Sequence, residues 1–436
     1  MLPVLIITLL AFQDRPAIQE VQSMTGRLAR SGCWLPLKVR LASPAPFEGE
    51  LTATGDTGIR VTRPVRIPAG GTVAVILPVV AVGSGAKVEV ILRGPSGEVD
   101  RRPLIGPLEF LGDARLVLVD PAHPEAESLQ RQKLTVQEKG PPVLFVPSDP
   151  VDWNEAADMG ALEIVDAVVA SDRWRPDLTM TVWRALGGAL VTQPRRDLLA
   201  RLAEPTARFP AVDPQIAPYV VTERWIPAKR ESAMLFIVVY AFAFFVAVYV
   251  TWARKGSPWL LTAAAIAAAI VFVAAYGAFF PKGNLAIKAW QGLVEAPESP
   301  VAISVCAIWG SEPAGEVEFG RIVKPVYATI AEATIRDLEL RLGEGGRWKV
   351  RGAAPGAPTR FVVVERLHQL TPWKPYLDGQ GNAMRYRPTE SEFFQKVPRK
   401  AEIRLQAPEE AAALPARAPG LVDTTFARVF RIKVRT

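Results

Sequence analysis

Few side chains in this chain stand where chemistry would need them. Its 436 residues include two cysteines, Cys33 and Cys306, and two histidines, His123 and His368. A nucleophilic cysteine needs a histidine base beside it, and a zinc site needs grouped ligands such as C-x-x-C. Neither spacing occurs in the sequence. The cysteines have two readings: in an exported protein they could pair and staple the first domain to the last, or each could be a buried small residue. Asp149, Asp152 and Glu155 lie around Trp153 on a loop leaving a strand. Such loops bind ligands in α/β sheets, and a solvated loop has the same composition. Asp378-Gly379-Gln380-Gly381-Asn382 alternates oxygen ligands, but it lacks the further carboxylates and distal Glu of a calcium loop. A hairpin turn is the expectation there. His368, in ERLHQLTPW, has no Cys or His neighbour and reads as a packed or surface histidine. Arg428, Arg431, Lys433 and Arg435 put positive charge along the last strand, suited to lipid headgroups or to blocking edge pairing. No Gly-rich phosphate loop, Ser-His-Asp arrangement or metal box is present in the sequence. The expectation is therefore no catalytic residue, no cofactor and no metal.

The formal net charge is +7, and the basic residues are scattered. That pattern predicts a solvated surface and no nucleic-acid partner.

The elements that would position any site are organised around residues 233–280. These read AMLFIVVYAFAFFVAVYVTWA, RKGSP, then WLLTAAAIAAAIVFVAAYGAFF. Each apolar run is close to the ~20 residues that cross a ~30 Å hydrocarbon core, and neither carries a charge. Two transmembrane helices, 233–253 and 258–280, are expected, joined by a short turn so that both outer ends share one side. Ala243 and Ala247, and Ala264 and Ala268, have small-xxx-small spacing. They suit contact within the hairpin or a docking face for another membrane subunit. No ionisable residue lies within either run, which argues against an ion path through them.

The start, MLPVLIITLLAFQDRPA, resembles a secretory signal over residues 1–17, although no Lys or Arg precedes its apolar run. A short uncleaved anchor is the alternative. Arg254 and Lys255 mark the turn as cytoplasmic, and Trp252 and Trp259 flank it where an interfacial belt would sit. Lys229, Arg230 and Lys282 at the outer ends oppose that count. The orientation expected is turn inside and domains outside, at the bacterial inner membrane.

Residues 18–112 alternate with the period of half-buried strands. Leu35, Leu37, Val39 and Leu41 share one face and Lys38 and Arg40 the other. The sets Ile59, Val61, Val65, Ile67; Val73, Val75, Leu77; and Val88, Val90, Leu92 continue the pattern. Pro36 and Pro64 are expected at edges or bulges. The rhythm resembles an immunoglobulin-like sandwich. Over 113–228 it changes to continuous apolar runs, Leu116 to Val119, Val143 to Val146, Asp166 to Ala170 and Ala189 to Thr192. Such runs suit a parallel sheet buried on both faces. A helix opening at Pro176-Asp177, with Leu178, Val182 and Leu186 inward and Trp183 beside them, would stop at Gly187-Gly188. A second helix is expected over 195–202.

The strings VDAVVASD and WRALGGALVTQ, with VPSDPVDW before them, resemble the core of class I glutamine amidotransferase-like domains. More narrowly, they resemble degenerate copies in bacterial membrane proteins that carry a β-sandwich before and a transmembrane segment after. The resemblance implies a Cys on a strand-to-helix elbow with a His base. This chain has Thr192-Gln193-Pro194 at that place and no Cys between Cys33 and Cys306. It therefore implies the inherited fold without the inherited chemistry.

From Pro205 to Arg230 the chain is Pro-punctuated, with Trp225 near the membrane. Residues 298–436 read as a second β-sandwich or barrel, with strands around Val301–Val305, 316–319, 326–330, 335–342, 348–350, 361–364, 403–405 and 426–434. The fold class expected is thus an α+β multidomain membrane protein: β-sandwich, α/β amidotransferase-like domain without a nucleophile, transmembrane hairpin and C-terminal β-rich domain. Its function is expected to be that of a non-enzymatic scaffold or interaction subunit of a cell-envelope complex, with the bilayer and other envelope proteins as partners. One alternative is a hydrolase using Asp120, Asp149 or Asp172. Another is envelope-glycan binding through Trp309 or Trp373.

Overall fold

The computed structural model describes residues 15–30, 33–81, 85–112, 114–132, 134–135, 141–177, 180–185, 188–192, 202, 241–242, 244–246, 248–253, 259, 262–263, 266, 285–295, 299–310, 317–319, 322–325, 339–343, 347–351, 359–384, 401–414 and 421–434. It is mostly β-sheet with few helices. The signal-like start, the linker with Trp225 and the expected helix 195–202, apart from Leu202, lie outside the described residues.

Alternation in the N-terminal region produces two facing sheets. The first is antiparallel, in the order Ala17–Ser23, Trp34–Ser43, Gly71–Val80. Leu35, Leu37, Val39 and Leu41 are fully buried in the core between the sheets. Pro36 is not on an edge, because its strand is the central one. It sits opposite Pro78 and one residue beyond the last pair with Ala17–Ser23, so the ladder does not call on its missing N–H.

The second sheet draws on both ends of the sequence. Its order is Val317–Glu318, Trp348–Arg351, Glu339–Leu342, Arg60–Ile67, Phe47–Thr54, Glu89–Gly94, Gly97–Pro103. Glu339, Leu340 and Arg341 pair in parallel with Arg60, Val61 and Thr62. Pro64 lies just past that contact, on the open part of its strand. Trp348 stacks on Trp34, and Arg341 Nη2 bonds Glu50 Oε1 at 2.5 Å. Leu340, Trp348, Val350 and Phe319 are buried in the same core as Leu37, Leu51 and Val61. Sheet pairing thus runs across the boundary that the sequence places at 298.

The third sheet has the order Leu134–Thr135, Pro142–Pro147, Arg115–Val119, Ala167–Val169, Ala189–Val191. The last four strands are parallel and the first is an antiparallel edge. Continuous apolar runs form these strands because both faces are covered. Val117, Val119, Val169 and Val191 pack with the helix Ala126–Arg131. Leu116, Leu118 and Val168 share the large core with the helices Val151–Asp158 and Met180–Ala185. Met180, Val182 and Trp183 are buried, while Leu178 and Leu186 lie outside the described residues. Trp183 Nε1 donates to the carbonyls of Leu162 and Val165, and a Cβ on Gly188 would run into its ring.

The fourth sheet has the order Ile322–Pro325, Thr359–Arg366, Val301–Gly310, Leu285–Glu295, Leu421–Val434, Ala401–Gln406. The strand Leu285–Glu295 precedes the start that the sequence suggests for this region, yet it is central. Ile287, Ala289, Gln291 and Leu293 form one buried face. Gln291 is a tolerable core residue because Nε2 bonds Ser304 Oγ and the Ala412 carbonyl while Oε1 accepts the Ala412 amide. The last strand, expected as a charged edge, is paired on both sides. Arg431 accordingly points to partners, Glu295 at 2.7 Å and the Thr371 carbonyl at 2.6 Å. Lys433 is exposed, and the side chains of Arg428 and Arg435 lie outside the description.

In the apolar stretch the described residues of 241–253, with 259, 262, 263 and 266, are helical. Phe242, Phe245, Tyr249 and Trp252 are exposed, whereas Ala241, Phe244, Val248 and Thr251 are half-buried. Each set follows the i, i+3, i+7, i+10 spacing of one stripe along a helix. Among the described residues no helix is long and apolar enough to cross a membrane. Ala243, Ala247, Ala264 and Ala268 lie outside the described residues.

Candidate functional site

In a doubly wound sheet the ligand crevice opens at the carboxyl ends of the strands, where successive crossovers leave in opposite directions. Here the chain passes from Arg115–Val119 to Pro142–Pro147 on one side, then returns to Ala167–Val169 on the other. The crevice therefore lies above Val119 and Val169. Two loops meet there, one beginning at Asp120 and one at Ala170-Ser171.

Asp120 joins them. Its Oδ1 accepts the Ala122 amide at 2.8 Å and its Oδ2 the Ser171 amide at 3.2 Å. Burial works to raise this carboxyl, but hydrogen bonds from Ser171 and Ala122, with His123 nearby, outweigh it and hold it below the ordinary carboxylate value. His123 is also buried. Its Nδ1 accepts the Glu125 amide at 3.1 Å and its Nε2 lies 3.4 Å from the Thr192 carbonyl. With the proton on Nε2, both ring nitrogens are engaged. Thr192 itself is exposed. Ser148, buried beside this edge, accepts a hydrogen bond from Trp153 Nε1 at 3.0 Å.

The acids near Trp153 separate by role. Trp153 is fully buried and meets Trp174 edge-on. Asp149 is exposed and accepts the Val151 amide, starting the helix. Asp152 and Glu155, one turn apart, turn instead to the β-sandwich. Asp152 meets Lys38 Nζ at 2.5 Å and Glu155 pairs with Arg63. Burial, with repulsion from Asp149 and Glu155, holds Asp152 above the ordinary carboxylate value in spite of Lys38. Asp172 is exposed on the loop after Ala167–Val169. The three carboxylates considered for hydrolysis thus have separate surroundings: Asp120 is tied down in the crevice floor, and Asp149 and Asp172 are solvated on different loops. Sequence reasoning missed Ala122, Ser171, Lys38 and Arg63. Asp120-Pro121 was a local turn signal, but the cations gave none.

At the opposite edge of the sheet Asp166 is buried between two cations. Arg30 Nη2 lies 3.1 Å and Arg115 Nη1 3.0 Å from its oxygens, and the Leu116 amide donates to it at 2.8 Å. This cluster joins the sandwich to the parallel sheet.

The remaining candidates are simpler. Asp378 Oδ1 accepts the amides of Gln380 and Asn382, so that segment is a hairpin turn, as its composition suggests. His368 is exposed. Cys306 is buried and no disulfide joins it to Cys33. Among the described residues no three His, Cys, Asp or Glu side chains are grouped as metal ligands. Trp373 is exposed with Arg404 over its ring, and the Trp309 side chain is not described.

In comparison with known proteins, the sequence matches no family model and no curated protein.

Proposed function

We propose that the chain is a membrane-anchored, non-catalytic interaction subunit of a bacterial cell-envelope complex. The observation that carries this reading is the pairing of Arg60–Ile67 with Glu339–Leu342, across the apolar residues 233–280. Strands in one sheet occupy one compartment. Residues 192–284 therefore cross any bilayer an even number of times. With two apolar runs of spanning length, the simplest arrangement is one hairpin carrying one body. Such a hairpin is an anchor for that body, not a link between domains on two sides. The exposed stripe of Phe242, Phe245, Tyr249 and Trp252 supports lipid contact. Arg254 and Lys255 favour a cytoplasmic turn, which leaves the body outside the inner membrane.

A binding role is supported over catalysis by the state of the acids. Asp120, Asp152 and Glu155 are each engaged by internal donors, and the elbow position holds Thr192. The resemblance to degenerate amidotransferase-like domains beside an immunoglobulin-like sandwich fits a fold retained for its surface. The test is purification of the full chain after mild detergent extraction. Stoichiometric membrane or envelope proteins are expected to co-purify. A clean monomer, or amide hydrolysis by the purified chain, would overturn the reading.

A further inference from the structure

The chain has two histidines, of which His123 is buried and His368 exposed. His123 lies in the turn that follows the strand Arg115–Val119. Its amide donates to the Asp120 carbonyl at 2.9 Å, and its carbonyl accepts the Ala126 amide at 3.0 Å, where the helix Ala126–Arg131 begins. No side chain caps that helix at Glu125. The imidazole holds the approach to it instead: Nδ1 accepts the Glu125 amide at 3.1 Å, two residues on, as an Asn or Asp oxygen does in a turn. With an amide donor at Nδ1, the neutral ring carries its proton on Nε2. Nε2 lies 3.4 Å from the Thr192 carbonyl, just past Ala189–Val191, the edge strand of the parallel sheet among the described residues. One neutral tautomer thus ties together the two sides of the crevice mouth.

A second proton breaks this fit. The imidazolium carries N–H on both nitrogens, so Nδ1 would turn a proton against the Glu125 amide proton. Histidine is also the side chain whose charge changes between about pH 5 and 8. The charges around the ring favour its moving once protonated. On its own turn, Asp120 has its oxygens on the Ala122 and Ser171 amides and attracts positive charge on His123 toward the crevice floor. Glu125 adds an acid at the start of the helix. On the helix itself Glu127 and Arg131 pair with each other in solvent. On the two loops beside the crevice, Asp149, Asp172 and Arg173 are exposed. Ala189–Val191 and Thr192 bring no ionisable side chain. The neutral ring therefore fits against Thr192, and the charged ring fits toward Asp120.

We propose that His123 is an acid-sensitive latch: the neutral ring fastens Thr192 to the turn 120–125, and uptake of a solvent proton at Nδ1 releases both contacts. Opening changes the surface at the carboxyl ends of the parallel strands, so anything bound there is bound in a pH-dependent way. The latch belongs to the folded body and stands whether or not the apolar runs span a bilayer. It is tested on the full chain in detergent micelles, carrying isotope-labelled histidine and His368→Asn, so that one imidazole remains. At pH ~8 the ring should show a single tautomer, protonated at Nε2. From pH ~8 to pH ~5 it should take up a proton in one step. Hydrogen-exchange protection factors over 122–126 and 189–192 should fall about tenfold with the same midpoint, the scale of one lost hydrogen bond. In His123→Asn the side-chain oxygen can accept the Glu125 amide at any pH but is too short to reach Thr192. The turn should then keep its protection down to pH ~5, while 189–192 has the lowered value throughout. A mixture of tautomers at pH ~8, a ring still neutral at pH ~5, or proton uptake without loss of protection overturns the latch. So does an acid response that persists in His123→Asn. If the melting temperature shows that this variant does not fold, the ring and exchange readings on the His368→Asn chain decide without it.

Discussion

Trp34 and Trp348 stack with ring centroids 6.4 Å apart and planes 13° from parallel, although the whole apolar stretch lies between them in sequence. Both are buried. The two halves of the chain therefore share one hydrophobic core, and the larger of the two sandwich sheets takes strands from both. Trp348→Ala should cost about 3–5 kcal/mol, the usual range for a buried Trp. The loss should appear in the N-terminal strands too. Denaturant unfolding of the full chain, with hydrogen exchange read over 34–43 and 60–67, checks this. Protection changes confined to the C-terminal half would refute a shared core.

Asp166 makes the parallel sheet depend on the sandwich in a different way. Its carboxylate holds Arg30 and Arg115 with almost no water access. Removing it leaves two buried cations without their counter-charge. Breaking such a cluster from one side costs roughly 3–5 kcal/mol. Asp166→Ala is expected to lower the unfolding free energy by that much, seen as a lower urea midpoint, and Asp166→Asn by less because it keeps an acceptor for the Leu116 amide. An unchanged midpoint in both variants would mean that water screens the cluster.

How much of this was legible in the sequence depended on distance along the chain. Leu35 to Leu41 and Leu116 to Val119 could be read because burial on one face, or on two, leaves a local period. Asp378-Gly379 could be read because its hydrogen bonds close within the turn. The strand Leu285–Glu295 was missed because Lys288 and Gln291 interrupt its apolar pattern, and the partners that satisfy Gln291 come from Ser304 and Ala412. The pairing of Glu339 with Arg60 had no local signature at all. At the candidate site, Asp152 and Glu155 read as a ligand cluster or a solvated loop because their partners gave no sign of an ion-pairing role. Lys38 lies 114 residues before Asp152, and Arg63 lies 92 residues before Glu155.

Two acids should give opposite pH responses. The folded Asp120 carboxyl sits below its unfolded value. Its stabilising contribution is thus present above the unfolded pKa and disappears as pH falls through the folded one. Asp152 is held above its unfolded value. It favours the fold below the unfolded pKa, and that contribution disappears as pH rises through the folded one. Urea midpoints taken from pH ~6 down to pH ~3, across the carboxylate range, should separate them. The deficit of Asp120→Asn relative to the parent should shrink as pH falls. The difference between Asp152→Asn and the parent should move the other way. Parallel pH profiles for the two variants would contradict the assigned environments.

Cys306 is buried, donates weakly to the Ser304 carbonyl, and has its thiol pushed far above the ordinary value by burial. Thiolate is the reactive form, so Cys306 should resist alkylation in the folded chain and react only on unfolding. Cys33 is half-buried and should react first. Mass spectrometry of the alkylated, non-reduced protein should find both thiols modified after denaturation. A Cys33–Cys306 cross-link would show that the strands Trp34–Ser43 and Val301–Gly310 approach each other in another way.

The parity imposed by the shared sheet makes membrane orientation a sharp test. Because Arg60–Ile67 and Glu339–Leu342 are hydrogen-bonded neighbours, a reporter at the C-terminus must lie on the same side as the N-terminal sandwich. A reporter within residues 254–257 must lie on the other side if both apolar runs span. A phosphatase that works only after export should therefore be active at the C-terminus and silent in the turn, and a fluorescent protein that matures only in the cytoplasm should behave in reverse. The opposite pattern would keep the hairpin and invert the protein, moving the body into the cytoplasm. Equal signals at the turn and the C-terminus would leave the sheet intact but remove the crossing, because both positions would then lie on one face of the bilayer. Opposite sides for the N-terminal sandwich and the C-terminus are forbidden by the strand pairing itself, so that outcome alone would mean the sheet is wrong.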